Sequence, residues 1–202
     1  MRAQKCIELF NKAIVDYHAT DHVDSPSKNP YSKNSIEQLM YNKCWIDTVQ
    51  WHLEDIIRDP NINPNEGMLI KRRIDASNQN RTNLVEKLDD YYISIFNNVS
   101  VEKSAKINTE SPGWVVDRIS ILCLKIWHMK EQVDRDDTSF SHKKNCKSKL
   151  AILNDQKQDL ISSFDLLLDE YLEGKKRIKV YRQMKMYNDE DLNPVLYKKD
   201  NS

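Results

Sequence analysis

The sequence predicts an all-α protein: an antiparallel bundle of about five helices with a basic and aromatic C-terminal tail. Glycine and proline are scarce, at three and six in 202 residues, which excludes folds that need turn residues at short intervals, such as sandwiches and barrels. Apolar residues recur at helical spacing over long segments, and helix start signals occur at Ser35 and at Ser111-Pro112. We assign residues 1–174 to the bundle and 175–202 to the tail.

Each helix follows from its apolar repeat and its end signals. Ser35 followed by Gln38 has the pattern of a capping box at the start of the second helix. The break between the second and third helices is short and contains two prolines, so these helices are antiparallel neighbours. Gly174 is placed as the residue that ends the fifth helix. The predicted helices span about residues 3–20, 35–58, 65–97, 112–133 and 139–174.

Two helices carry information about packing. The fourth is apolar almost all round, which is typical of a helix buried on several sides, and we place it centrally. The fifth has a heptad-like apolar repeat from Leu150 to Tyr171 that packs against the bundle or against a second copy of the chain. The sequence therefore predicts a homodimer.

The balance of positive and negative charge limits the classes of partner that we expect. Lys and Arg total 31 and Asp and Glu total 31, so net charge gives no reason to bind nucleic acid or an anionic membrane. No apolar run approaches the roughly 20 residues of a membrane span, and no signal-peptide core is present. The four cysteines are far apart, as in proteins of reducing compartments. We expect a cytoplasmic protein without a membrane span.

Polar residues occupy positions where the second and third helices should be buried. On the third helix, Asn78 and Arg81 lie in line with the apolar residues Ile74 and Val85. On the second helix, we predict a buried face made by Leu39, Ile46, Val49, Leu53, Ile56 and Ile57. Asn42 falls within this face, Asp47 borders it and Cys44 falls opposite. The candidate ligand-binding residues of this polar layer are Asn42, Gln50, Lys71, Asp75, Asn78, Arg81, Asp89 and Arg118.

Two interpretations of the polar layer stay open. A buried charge without a partner costs several kcal/mol, so every polar group must be satisfied by another group, water or a ligand. One interpretation is a self-paired network, for example Arg81 with Asp75 or Asp89. The other is a pocket for an anionic or sugar-like ligand, with Arg81 as the anion contact. Antiparallel pairing is expected to bring Asn42 to the level of Arg81.

The catalytic candidates are His52, Glu54 and Asp55, because a histidine or carboxylate beside a polar pocket can transfer protons. His52 and Asp55, three residues apart on a helix, could also share a metal with Asp75, Asp89 or His128. A surface histidine beside carboxylates is more common, and we predict no metal site. The sequence does not identify a cofactor.

An alternative enzyme class is a metal-dependent phosphohydrolase. All-α enzymes of that class hold magnesium between carboxylates on facing helices. Here Glu54 and Asp55 would have to face Glu86 and Asp89, which requires a register shift of several turns.

Several short motifs together resemble one protein family. They are Trp51-His52-Leu53-Glu54-Asp55, Lys71-Arg72-Arg73-Ile74-Asp75, Asn78-Gln79-Asn80-Arg81, Glu86, Asp89, Tyr181 to Asn188, and Leu192-Asn193-Pro194. In combination they resemble the bacterial domain-of-unknown-function family 4254. The resemblance implies a small helical bacterial protein and a link to glycosyltransferases of cell-surface polysaccharide synthesis. It assigns no catalytic residues.

Two functional hypotheses follow. In the first, the polar layer is a pocket, and the protein is a binding or catalytic helper in cell-surface glycan synthesis. In the second, the protein is a non-enzymatic interaction protein that docks a partner such as a glycosyltransferase, and the polar layer only fixes helix register. A polar layer that opens to solvent favours the first, and one that is closed and fully paired favours the second.

Overall fold

The computed structural model describes residues 1–186 and 189–198. Within them the chain is an all-α bundle, as predicted. The long helices are α1 (Ala3–His18), α2 (Ile36–Ile56), α3 (Pro64–Phe96), α4 (Pro112–Asp134) and α5 (Phe140–Leu172). A four-residue helix, α6 (Pro194–Tyr197), lies in the tail. The strands β1 (Lys106–Ile107) and β2 (Lys176–Arg177) form one parallel two-residue pair.

Polar side chains begin the helices where the sequence predicts. The Gln38 N–H donates to Ser35 Oγ over 3.1 Å. Gln38 Oε1 accepts from the backbone N–H of Asn34 over 2.7 Å. A capping box would have this second bond come from the N–H of Ser35 itself, so it is made one residue earlier in the chain. At α5, the His142 N–H donates to Ser139 Oγ over 3.1 Å. These bonds satisfy backbone donors that the first turn of a helix leaves unpaired.

The start of α4 is held by a side chain of α3. Asp89 is buried, and its two carboxylate oxygens accept from the Gly113 N–H and the Ser111 hydroxyl, each over 2.7 Å. A side chain on Gly113 would place Cβ 2.6 Å from the carbonyl oxygen of Val85. Glycine therefore allows the N-terminus of α4 to approach the backbone of α3.

Gly174 ends α5 as predicted. Its φ of 69° is left-handed, its N–H donates to the Tyr171 carbonyl over 3.2 Å, and the Lys175 N–H donates to the Glu170 carbonyl over 2.9 Å. This pair of bonds is the Schellman motif. The Gly174 carbonyl then accepts from the Glu102 N–H over 3.0 Å, which joins the end of α5 to the segment before β1.

The fourth helix is central, since α4 contacts each of the other four long helices. The main core is built around the buried aromatic residues Phe10, Tyr17, Tyr41, Tyr92 and Phe164. All four cysteines are buried and unpaired. None of the described helices combines the length and apolar character that a membrane span requires.

The predicted buried face of α2 is only one of two. Leu53 is buried, and Leu39, Val49, Ile56 and Ile57 pack against the core. Lys43, Cys44 and Asp47 are buried, whereas Ile46 and Val49 are only partly buried. The physical reason is that α2 packs against α1 on one side and against α3 and α4 on the other. A helix buried on two sides has no single apolar stripe, and its polar core residues then mislead a periodicity analysis.

The described part of the tail lies along α3. Ile178 packs against the main core, Arg182 Nη2 donates to Asp90 Oδ1 over 2.6 Å, and Lys185 Nζ donates to the Asn78 carbonyl over 3.0 Å. Tyr181 and Met184 are exposed. The motif residues Tyr187 and Asn188 lie outside the described residues, as do 199–202.

Candidate functional site

The polar layer is an ion-pair network between α2, α3 and α4. The completely buried Lys43 contacts the Asp47 carboxylate and lies 2.7 Å from Asp117 Oδ1. Arg81 Nε donates to Asp47 Oδ1 over 2.6 Å, and the Ser120 hydroxyl donates to Asp47 Oδ2 over 2.6 Å. Two cations and two carboxylates therefore neutralise one another inside the bundle.

The network is closed on one side and open on the other. Lys43 and Asp47 have no exposed side-chain surface, whereas the side chains of Arg81 and Asp117 are 21% and 18% exposed. Burial lowers the pKa of Arg81, but the adjacent Asp47 carboxylate raises it more, and the net shift is upward. Arg81 therefore stays charged while part of its side chain is exposed to solvent.

A cleft of about 320 Å³ lies over this open side, and we call it the amide cleft. Its lining residues are Asp47, Gln50, Trp51, Glu54, Asp55, Arg58, Asn78, Arg81 and Ile121. Asn78 Oδ1 accepts from Arg81 Nη1 over 3.2 Å, and Gln50 Nε2 donates to Glu54 Oε1 over 3.3 Å. Gln50 is 6% exposed, and its Oε1 is buried without a hydrogen-bond partner among the residues that the structure describes. The cleft is thus lined by an arginine and two amides, and the oxygen of one amide is unpaired beneath its surface.

The amide cleft unites only part of the predicted ligand set. Gln50, Asn78 and Arg81 line it, together with Glu54 and Asp55. Helices α2 and α3 are offset from the predicted register by five residues, roughly 1.4 turns, because Arg81 meets Asp47 and not Asn42.

The other five predicted ligand residues lie elsewhere. Asn42 accepts from Asn29 Nδ2 over 2.8 Å in a separate cleft. Lys71 and Asp75 form an exposed ion pair with each other. Arg118 is exposed and pairs with Glu110. Asp89 caps α4, so neither Asp75 nor Asp89 pairs with Arg81, contrary to the example of a self-paired network.

The carboxylates of the phosphohydrolase alternative do not face one another. Glu86 accepts from the Gln183 N–H over 3.1 Å in the tail, and Asp89 accepts from the start of α4. Glu54 and Asp55 line the amide cleft on α2. A magnesium site shared by these four residues is therefore not formed.

His52 lies in a second cleft, of about 570 Å³, which we call the histidine cleft. Its lining residues are His18, Asp21, Trp51, His52, Asp55, Lys125, His128, Met129, Glu131, Gln132 and Leu153. His52 Nε2 is 3.3 Å from His18 Nε2. Burial lowers the pKa of His52, and His128 and His18 lower it further against the opposing effect of Asp21. Trp51 and Asp55 line both clefts, so the two are adjacent.

Sequence reasoning missed Lys43, Asp117, Ser120 and His18. Lys43 and Asp47 are four residues apart on one helix, which is the spacing of a helical ion pair. The sequence alone could therefore have predicted that these two residues pair. Such pairs usually lie in water, so spacing alone gives no reason to place this one in the core. His18 and His52 are brought together by the packing of α1 on α2.

Comparison with known proteins gives one match. The sequence model of the family described as Protein of unknown function (DUF4254) matches residues 37–180. No curated protein and no solved structure matches the chain. The matched residues include both clefts apart from His18 and Asp21, and they end before the tail motifs that begin at Tyr181. Since the match covers more than half of the sequence, the chain belongs to the DUF4254 family of proteins of unknown function.

Proposed function

We propose that this protein binds a sugar-like ligand in the amide cleft and acts as a binding or catalytic helper in bacterial cell-surface glycan synthesis. The observation that carries the proposal is the unpartnered Oε1 of Gln50. A buried polar atom without a partner costs about 1–3 kcal/mol. A turn of the Gln50 amide toward the cleft that it lines would let a ligand hydroxyl donate to this oxygen. The pathway comes from the link to glycosyltransferases that the family resemblance implies, and such synthesis would place the protein in the cytoplasm.

The residues of the cleft suggest how the ligand is held. The side-chain amide of Asn78 and the exposed part of the Arg81 guanidinium can donate hydrogen bonds to ligand hydroxyl oxygens. Arg81 is neutralised by Asp47 and Asp117 and is only 21% exposed. Arg58 pairs with Glu54 but is 65% exposed, so an anionic group on the ligand would lie against Arg58. If the ligand reacts, Glu54 is the proton-transfer candidate, since it lies beside Gln50 and Arg58.

A thermal-shift screen of sugars, sugar phosphates and nucleotide sugars tests the proposal. The screen contains EDTA, so that any metal bound by the histidines does not contribute. A ligand at 100 times its Kd should add about 2.7 kcal/mol to the free energy of unfolding. Failure of all three compound classes to shift the melting of the wild-type protein would contradict the proposal.

Two variants locate the binding. Gln50→Met removes the unpartnered oxygen at similar volume and should weaken binding about fivefold, the equivalent of one hydrogen bond of about 1 kcal/mol. Asn80→Ala removes an exposed amide of the same helix as Asn78 and should leave the affinity unchanged. Equal affinities of the two variants would place the ligand elsewhere.

A second candidate is a non-enzymatic interaction protein, favoured by the charge neutrality of the Lys43–Asp47–Arg81–Asp117 network. In that case the network fixes helix register, and the protein docks a glycosyltransferase or a second copy of itself. The predicted homodimer is tested by light scattering, where a dimer has twice the chain mass of 23.9 kDa. A monomer at tens of micromolar would reject the dimer.

A further inference from the structure

Three histidines from three helices converge in the histidine cleft. His18 ends α1, His52 lies in α2 and His128 lies in α4. One ring nitrogen of each lies within 4.8 Å of those of the other two. The ring centroids are 5.3, 5.4 and 5.4 Å apart, so the three imidazoles form a nearly equilateral triangle with edge-on contacts.

Each imidazole is held in place by an aromatic ring of its own. Trp127 stacks on His18 at 4.9 Å, Tyr17 on His52 at 5.0 Å, and Trp51 on His128 at 4.7 Å between ring centroids. Stacking restrains the rotation of a ring without using its nitrogens. The nitrogens are therefore both positioned and available, which is the preorganisation that a ligand site requires.

Hydrogen bonds to the outer nitrogens fix the tautomers of two of the rings. His18 Nδ1 is 2.7 Å from the Ile14 carbonyl oxygen, and His128 Nδ1 is 2.7 Å from Glu131 Oε2. Both oxygens can only accept, so each Nδ1 carries a hydrogen, and in the neutral ring each Nε2 has a lone pair. Backbone carbonyl and carboxylate partners of this kind orient the histidines that bind metals.

The inner nitrogens do not satisfy one another. His52 Nε2 and His18 Nε2 form one hydrogen bond at 3.3 Å. His128 Nε2 is buried and has no hydrogen-bond partner within residues 1–186 and 189–198. A pair of hydrogen-bonded histidines in the core accounts for the first two rings but leaves the third with a buried lone pair, whereas a bound cation accounts for all three.

We propose that His18, His52 and His128 form a binding site for a divalent transition metal, with zinc as the best fit. Neutral imidazole suits zinc, copper, iron and nickel, whereas magnesium and calcium require oxygen ligands. Zn–N bonds of about 2.0–2.1 Å at the tetrahedral angle separate two ligand nitrogens by about 3.3–3.4 Å, close to the His18–His52 distance. The metal replaces the hydrogen between these two nitrogens, and His52 then carries its proton on Nδ1.

The fourth coordination position faces the histidine cleft. Asp21 Oδ1 lies 3.7 Å from His52 Nε2 at the rim, and Trp51 and Asp55 continue the surface into the amide cleft. Three histidines with an open fourth position are the arrangement that leaves a metal free to bind water or a substrate oxygen. The site does not depend on the proposed sugar ligand, although it lies beside that cleft.

Metal titration of the full chain tests the site. The protein is freed of metal with EDTA, exchanged into chelator-free buffer and titrated with Zn²⁺ by calorimetry. Co²⁺ is titrated in parallel, because its visible spectrum reports tetrahedral coordination. We expect one Zn²⁺ per chain and a tetrahedral Co²⁺ spectrum. Absence of Zn²⁺ binding by the folded wild-type protein would overturn the proposal.

The five histidines of the chain supply matched variants. His52→Ala should weaken Zn²⁺ binding by more than about 100-fold. Glu131→Gln, which alters the hydrogen-bond partner of His128 Nδ1 and of Trp127 Nε1, should weaken it by about 10- to 100-fold. The double variant His22→Ala, His142→Ala removes the two histidines outside the cluster and should bind as the wild type does. Circular dichroism of the metal-free variants confirms that they are folded. Binding that survives His52→Ala, or that is lost in the double variant, would place the metal elsewhere.

Discussion

Replacement of Lys43 by methionine tests the energetics of the polar layer. Lys43 has no exposed side-chain surface and contacts the carboxylates of Asp47 and Asp117. Methionine is close to lysine in side-chain length but carries no charge. Arg81 is then the one remaining cation of the layer beside the two carboxylates of Asp47 and Asp117. Breaking a buried pair in this way costs about 3–5 kcal/mol. For a chain of this size that corresponds to a fall in Tm of about 10 °C.

The control is an ion pair with the same spacing in water. Lys71 and Asp75 are also four residues apart on one helix, but their side chains are 55% and 44% exposed. Lys71→Met should therefore cost about 0.5 kcal/mol or less. The two variants share the same chemical change, so the difference between them reports burial.

A double variant separates charge imbalance from packing. Lys43→Met with Asp117→Asn leaves one cation, Arg81, and one carboxylate, Asp47, and should recover most of the loss. Urea denaturation of the four proteins of this cycle gives the coupling free energy, expected at about 2 kcal/mol or more. The reasoning fails if Lys43→Met costs no more than Lys71→Met, or if the double variant is as unstable as the sum of the single ones.

Two further predictions concern the ends of helices. Gly174→Ala should destabilise the protein by about 2–4 kcal/mol in urea denaturation, because φ is 69° and Cβ would lie 2.2 Å from the Ser100 carbonyl oxygen. At Gly67 the atoms nearest to an added Cβ lie at an ordinary 3.6 Å, so Gly67→Ala should instead stabilise the protein by about 0.5–1 kcal/mol. A Gly67→Ala protein that is less stable than Gly174→Ala would refute the argument. Burial raises the pKa of Asp89 above 3.8 despite its hydrogen bonds. The folded state therefore holds this proton more tightly than the unfolded state, and stability is lost as pH rises from 3.8 through the raised pKa. Asp89→Asn should gain stability relative to the wild type over that window in urea melts from about pH 3 to pH 7, and a difference independent of pH would contradict the raised pKa.

The helices and their ends were determined by the sequence. Ser35, Ser111-Pro112 and Ser139 begin helices in the structure, and Gly174 ends one. Ser35 and Ser139 accept from backbone N–H groups three residues on, Pro112 occupies the first helical position, and Gly174 acts through its left-handed backbone. Such signals depend only on residues close in sequence, so a single sequence shows them. The Ser111 hydroxyl instead donates to Asp89 of α3. The central position of α4 could also be predicted from the sequence, because a helix that is apolar almost all round must be buried by neighbouring helices on several sides.

The membership of the two clefts was decided by tertiary structure alone. Gln50, Asn78 and Arg81 were identified because they interrupt an apolar pattern. The carboxylates near Arg81 come from other helices, Asp47 from α2 and Asp117 from α4. Lys43 was missed, and Asp47 was placed only at the border of the core, because α2 is covered on two sides. Burial on two sides removes the contrast between faces on which periodicity depends. His18 meets His52 and His128 only through the packing of three helices. Such contacts depend on helix register and rotation, and an offset of one turn exchanges one set of partners for another.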